Sequence, residues 1–337
     1  MPKLGEPDCM SVFERNDPNT TGQPGRTSCV SVIVPAFNRV AWLVECLASV
    51  LDQSYQNFQL IVVDDGSTLP LADQPALGAM FCDDRIDLIR SPHKGPSSAR
   101  NLGLDAAERD FILMLDSDDV LDRTGLETLV DAAQAAAADV AVGGWIDFDT
   151  PAARQVILPL QRYGDPYANC VEQMWITGTA LLRNSRMPRF NETRMPWEAL
   201  EFYLDYLAEG RSAVYVNNTI VNSRQHEKPD RLTIRHNHFE PRYMGDFFAE
   251  KKKQLKLSGL LNDERIAALD KRILSCVHSL LRQGLEADAH RLFAMVSWDL
   301  MTNQRSSRVA SFVWSSRVFG FAGAKAFIAA NRVLERV

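Results

Sequence analysis

The sequence predicts an α/β fold on a mostly parallel sheet, followed by an all-helical extension. Three observations carry that expectation. Short β-branched runs alternate with helical patterns in the first part of the chain, two of those runs end in aspartate clusters, and beyond about residue 239 only helical periodicity is left.

Residues 29–35 form a β-branched run ended by Pro35, a buried first strand. Leu43, Cys46, Leu47, Val50 and Leu51 then recur on one helical face. Residues 58–63 read as a second buried strand ending in Asp64 and Asp65. Strand, helix and strand in about 35 residues make a βαβ unit, hence parallel strands and a right-handed crossover. Residues 86–89 read as a short third strand, and residues 96–107 as a helix that tolerates Pro96 in its first turn. A fourth strand over 111–115 runs into Asp116, Asp118 and Asp119. A helix over 125–138 and a short strand over 140–144 follow.

The pattern weakens from 147 to 173, where Pro151, Pro159 and Pro166 break it, and residues 172–182 read as a loop feeding a strand. A helix over 197–209 and two short strands, 214–216 and 219–221, precede a polar, basic stretch that holds Arg224 and His226. Helical stripes cover 265–283 and 286–300. The expected organisation is a leader over 1–28, an α/β domain over 29–238 and a helical extension over 239–337.

The bulk numbers exclude several classes. The 337 residues carry 46% hydrophobic and 24% charged side chains, ordinary for a globular protein, and a formal charge of -6 that argues against nucleic-acid binding. No apolar run approaches the roughly 18 residues of a membrane helix. Six scattered cysteines without a CxxC pair suit reduced thiols in a cytoplasmic protein. The first 28 residues, rich in Pro, Gly, Asn, Asp and Thr, lack a signal-peptide pattern and read as a flexible leader. GxGxxG after the first strand and GxxxxGK[ST] are both missing from the sequence, which disfavours a dinucleotide fold and a P-loop ATPase.

The aspartate clusters carry the functional signal. One acidic loop is often only a helix cap. Two acid clusters, each at the end of a strand and before a helix, fall on one edge of one sheet, where open α/β sheets bind ligands. Buried carboxylates need a partner, and a hard divalent cation carrying phosphate oxygens is a natural one.

Four segments occur in order: residues 32–38 with Pro35, Phe37 and Asn38; residues 62–67 with Asp64 and Asp65; residues 95–103 with Arg100; and residues 115–119 with Asp116, Ser117, Asp118 and Asp119. Together they resemble the signatures of glycosyltransferase family 2, whose catalytic domain has the GT-A fold, a Rossmann-like, mixed and mostly parallel sheet. The resemblance covers about residues 29–232.

The resemblance implies a nucleoside-diphosphate sugar donor, UDP-sugars being favoured, inversion at the anomeric carbon, and Mn²⁺ or Mg²⁺ as cofactor. Carried over by position, Pro35, Phe37, Asn38, Asp64, Asp65, Arg100, Asp116 and Ser117 bind the nucleotide sugar. Asp118 or Asp119 makes the closest metal contact, with Asp118 the choice here. Arg224 and His226 match the family's Arg-x-His element, which makes His226 a second metal ligand; a surface histidine in a basic loop is the plainer alternative.

One position departs from the family. The acidic pair that usually opens the helix after the acceptor loop is here Glu198 and Ala199, with Ala199 where the catalytic Asp would stand. Glu198 is the expected base. Glu201 and a catalytically degenerate, donor-binding or scaffolding protein are the alternatives. The implied acceptor is a glycan or lipid-linked glycan in cell-surface or exopolysaccharide synthesis. Residues 303–337 hold six basic residues against one acid and many apolar ones. Either they touch the inner face of the plasma membrane peripherally or they form a terminal helix packed on the body. The C-terminal helices also offer an oligomer contact.

Overall fold

The computed structural model describes residues 28–148, 155–194, 196–225, 240–297 and 320–327. The expected leader, apart from Ser28, and His226 lie outside the described residues.

Four strands form the parallel part of the sheet. β1 (Val30–Ala36) pairs with β2 (Phe58–Asp64) on one side and β4 (Phe111–Met114) on the other, and β2 pairs with β3 (Ile86–Arg90). The register sets Ala36 opposite Asp64, and Asp64 opposite Arg90. Beyond β4 the sheet turns mixed. β8 (Ala180–Arg183) runs antiparallel to β4 and to β6 (Val140–Phe148), and β6 runs parallel to β9 (Ala213–Arg224). β5 (Val120–Leu121) closes the far edge against β9, and β7 (Gln155–Ile157) pairs with β6.

The central strands are apolar on both faces because both faces are covered. Val32, Val34, Leu60 and Val62 pack with α1 (Val40–Leu51) and α3 (Gly125–Ala135). Ile33, Ile61, Val63 and Ile112 point the other way, with the period of two that a strand imposes. That second face is covered by α2 (Pro96–Ala106), α4 (Pro166–Gln173) and α5 (Glu198–Ala208), and in the same core by α6 (Pro241–Leu257), α7 (Asp263–Gln283) and α8 (Glu286–Phe293). The helical extension therefore shares its core with the sheet domain.

Several elements differ from the sequence reading. Pro166 does not break a pattern; it occupies the first turn of α4, whose cap is Asp165, accepting from Tyr167 N at 2.8 Å. The two short strands over 214–221 are one strand, β9, and a register shift against β6 around Gly144 hides its continuity in the sequence. Helix α6 went unread because its lysine-rich second half dilutes the apolar stripe of Phe247, Phe248 and Leu255. Helix α8 ends at Phe293, and residues 298–300 lie outside the described residues.

Candidate active site

The C-terminal ends of β1, β2 and β4 bring three loops to one sheet edge. Asn38, with φ of 57°, turns the first loop, and its side-chain oxygen accepts from Thr68 N at 2.8 Å. In return Asn38 N donates to Ser67 Oγ at 3.1 Å. Asn38 thus ties the first two loops together. Pro35 is buried within β1, opposite Val63.

Asp64 is buried and accepts from Ser67 N at 2.8 Å, Leu71 N at 3.1 Å and the Arg90 guanidinium. Burial favours its neutral form, but these hydrogen bonds and the Arg90 charge outweigh burial and hold the carboxyl below the usual range. Asp65 caps the next loop, accepting from Lys94 N and Gly95 N, both at 2.9 Å. His93 Nδ1 lies 2.9 Å from the Asp65 carboxylate, and its ring stacks on exposed Phe37 with centroids 4.1 Å apart. An aromatic face beside an anchored carboxylate is a surface for a heterocyclic base.

The third loop holds the other carboxylates. Arg100, on α2, donates from Nη2 to Asp116 Oδ1 at 2.8 Å, and its Nη1 lies 3.4 Å from Glu198 Oε1. Thr177 Oγ1 donates to Asp116 Oδ2 at 2.7 Å. Burial opposes ionisation of Asp116, yet Arg100 and Thr177 hold its carboxyl below the usual range. Burial likewise works against the Arg100 charge, and Asp116 and Glu198 more than restore it. Arg39 Nη1 pairs with Asp118 Oδ2 at 2.6 Å. Asp119 is buried and accepts from Arg224 N at 2.8 Å. Burial, then the charges of Asp118 and Asp116, push its carboxyl well up. Ser117 lies buried between these carboxylates in the chain.

These residues fit a hard divalent cation. The donors are carboxylate oxygens, and Asp116, Asp118 and Asp119 crowd three carboxylates into four residues, where a dication relieves their mutual repulsion. Among the described residues no group of three His, Cys, Asp or Glu is arranged to hold a metal. One or two carboxylates completed by diphosphate oxygens and water is the usual arrangement for Mg²⁺ beside a phosphate substrate.

Glu198 is the first residue of α5, next to the helix's positive end. Its cap, Trp197, adopts φ of 80°, a left-handed conformation costly for a bulky residue, roughly 1–3 kcal/mol. Packing of Trp197 on Phe247 of α6, with centroids 6.2 Å apart, helps hold it, so the extension supports the turn that aims Glu198. Ala199 packs on the core. Glu201 ion-pairs with Arg194 at 2.6 Å and with Lys251 of α6 at 3.0 Å, so its carboxylate is committed to the helix interface.

The structure thus gathers Asp116, Asp118, Arg100 and Glu198 on one side and Phe37, Asp64 and Asp65 on the other. Sequence reasoning missed Arg39, His93 and Thr177. Arg39 follows Asn38 on the same sheet edge, and that adjacency was the available signal; Thr177 lies 61 residues from Asp116 and offered none. Arg224, two residues before His226, clamps the acidic loop, donating from Nε to Asp118 O at 3.0 Å.

A mixed sheet with acidic loops at the ends of its parallel strands belongs to the α/β class, whose ligand crevice lies at that edge. Residues 31–178 match the family model described as Glycosyl transferase family 2. GlyG, a glycosyltransferase of Streptococcus pneumoniae, is 36% identical over 121 residues, 36% of this chain and 40% of that protein. The succinoglycan biosynthesis protein ExoW of Rhizobium meliloti is 42% identical over 94 residues, 27% of this chain and 30% of that protein. The matched stretch is therefore well under half the length of either relative. In structure, S. aureus TarS 1-349, crystallised with UDP-GlcNAc, superposes with a TM-score of 0.67 at 18% identity, covering 90% of this chain and 91% of that one. Residues 31–178 form a family 2 glycosyltransferase domain, carried on a GT-A fold.

Proposed function

We propose that this chain is a metal-dependent, inverting glycosyltransferase that moves a hexosyl or related unit from a nucleoside-diphosphate sugar to a hydroxyl of a glycan or lipid-linked acceptor. The observation that carries the reading is Arg100, one buried guanidinium shared by Asp116 at the donor-side loop and Glu198 at the start of α5. It puts a carboxylate suited to proton removal within one side chain of the carboxylates suited to the diphosphate.

Pro35, Phe37 and Asp65 take the base, while Asp64 and Asn38 keep the two loops in register. Asp116 and Ser117 bind the ribose and sugar side, and Arg100 orients Asp116. Asp118 would hold the metal; the second expected ligand, His226, lies outside the described residues. When bound, Mn²⁺ or Mg²⁺ neutralises the charge that develops on the leaving diphosphate. Glu198, beside Arg100 at the first position of α5, accepts the proton of the acceptor hydroxyl as that oxygen attacks the face opposite the leaving group. A UDP-sugar is the donor we favour, because TarS was crystallised with UDP-GlcNAc. Cell-surface or exopolysaccharide synthesis follows from the relatives, ExoW by its name.

A cytoplasmic site of action suits a sugar-nucleotide donor, and no helix among the described residues is long and apolar enough to cross a membrane. Of the basic terminal segment, 320–327 packs on α8 through Phe321 against Phe293, with centroids 5.4 Å apart, and Lys325 to Glu286 at 2.6 Å. That favours the packed terminal helix for these residues.

The test is divalent-dependent release of nucleoside diphosphate across a panel of sugar nucleotides, with Glu198→Gln and Asp118→Asn beside the wild type. Release by wild type and a drop of about 10²-fold or more in each variant is expected, the scale of general-base catalysis. Undiminished release by Asp118→Asn would sink the metal role. Ala199 favours a second reading, a fold that binds sugar nucleotide without turnover; binding without release in any donor arm would establish it.

A further inference from the structure

Arg100 and Arg39 both pair with side-chain carboxylates of the acidic loop, and they are held differently. Arg100 is 5% exposed at its side chain and locked between Asp116 and Glu198. Arg39 is 22% exposed, and Asp118, to which it pairs at 2.6 Å, is 16% exposed. Arg39 sits at the cap of α1, directly after the turn residue Asn38, with its guanidinium 5.5 Å from the Trp42 ring centroid. The same ring carries Arg224, which clamps the loop backbone at Asp118 O. Trp42 thus lies within cation–π reach of both guanidinium groups.

We propose that Arg39 is a movable counter-cation: it holds Asp118 while metal and donor are absent, and moves to the diphosphate oxygens when a divalent cation takes Asp118. The inference rests on the proposed sugar-nucleotide site. A guanidinium and a metal compete for the same carboxylate oxygen, since each is neutralised by it. Once displaced, Arg39 has a new anion close by, because the diphosphate must lie on the cation that Asp118 holds. A planar fork of donors suits phosphate oxygens as well as it suits a carboxylate. The exchange couples the two ligands: metal alone must break an ion pair, and nucleotide compensates for that loss.

The experiment is Mn²⁺ titration of the protein without nucleotide, read from the electron paramagnetic resonance of free Mn²⁺, for wild type, Arg39→Gln and Arg39→Lys. UDP binding at saturating Mn²⁺ is then measured by calorimetry, and thermal melting checks that both variants are folded. Arg39→Gln is expected to bind Mn²⁺ alone about tenfold tighter and UDP with Mn²⁺ about tenfold weaker, each factor corresponding to ~1.4 kcal/mol. Arg39→Lys keeps the competing charge, so its Mn²⁺ affinity stays near wild type. Equal or weaker Mn²⁺ binding by folded Arg39→Gln overturns the proposal, and so does tighter Mn²⁺ binding with unchanged UDP affinity. Failure of wild type to take up Mn²⁺ with or without UDP overturns the metal-dependent donor site as well, which separates the two failures.

Discussion

Arg100 Nη2 donates to Asp116 Oδ1 at 2.8 Å, joining α2 to the loop at the end of β4. The same guanidinium reaches Glu198 and lies 5.2 Å over the Phe190 ring, so it is fixed by charge and by packing. Lysine carries the charge but has no fork, and it cannot serve two carboxylates in this geometry. Arg100→Lys is expected to fold and to lower nucleoside-diphosphate release by about 10²-fold, the cost of misplacing reacting groups by an ångström. Steady-state assay beside a thermal melt checks this; release within a factor of two of wild type would show that the bridge does not orient the site.

Lys251 is 3% exposed and ion-pairs with Glu201 at 3.0 Å and Asp205 at 2.7 Å. It binds α6 to the helix that begins with Glu198. Removing one partner of a buried pair costs about 3–5 kcal/mol. Arg194 still compensates Glu201, so Lys251→Met should fall at the lower end, near about 3 kcal/mol. Urea unfolding measures it, and a loss under about 1 kcal/mol would place this cluster with weak surface pairs.

Asp64 yields a pH prediction. Its carboxyl is held below the usual range, so the unfolded chain binds its proton first as pH falls. The stability it contributes is complete above the ordinary carboxylate value of about 3.9 and is lost as pH drops through the lower folded value. Wild type should therefore be more stable than Asp64→Asn at neutral pH, with the gap closing only on the acid side. Chemical unfolding from pH 7 to pH 2 follows that gap; a gap that widens towards acid would reverse the sign.

Much of the fold was legible because buried strands and amphipathic helices write their burial into the chain. Val32, Val34, Leu60 and Val62 face one side and Ile33, Ile61 and Val63 the other, so an unbroken apolar run meant a strand covered on both faces. Helix α4 was not legible, because Pro166 reads as a breaker unless the cap at Asp165 is known. Helix α6 was not legible either: its charge is neutralised by residues far away in sequence, Lys251 by Glu201 and Lys252 by Asp270 at 2.5 Å.

The order of the acid-ended strands, Asp64 and Asp65 after β2 and Asp116 to Asp119 after β4, determined by itself that these carboxylates share one sheet edge, because parallel strands put their C-terminal ends together. Only the tertiary structure decided what each carboxylate does there. Asp65 caps the 94–95 backbone, Asp118 meets Arg39, Asp116 meets Arg100 and Thr177, and Glu201 is drawn off to Arg194 and Lys251 while Glu198 stays with Arg100. Those partners come from separate elements of the chain. Which acid meets which cation depends on packing distances of a few ångströms, and a pattern of residue types along the chain does not encode them.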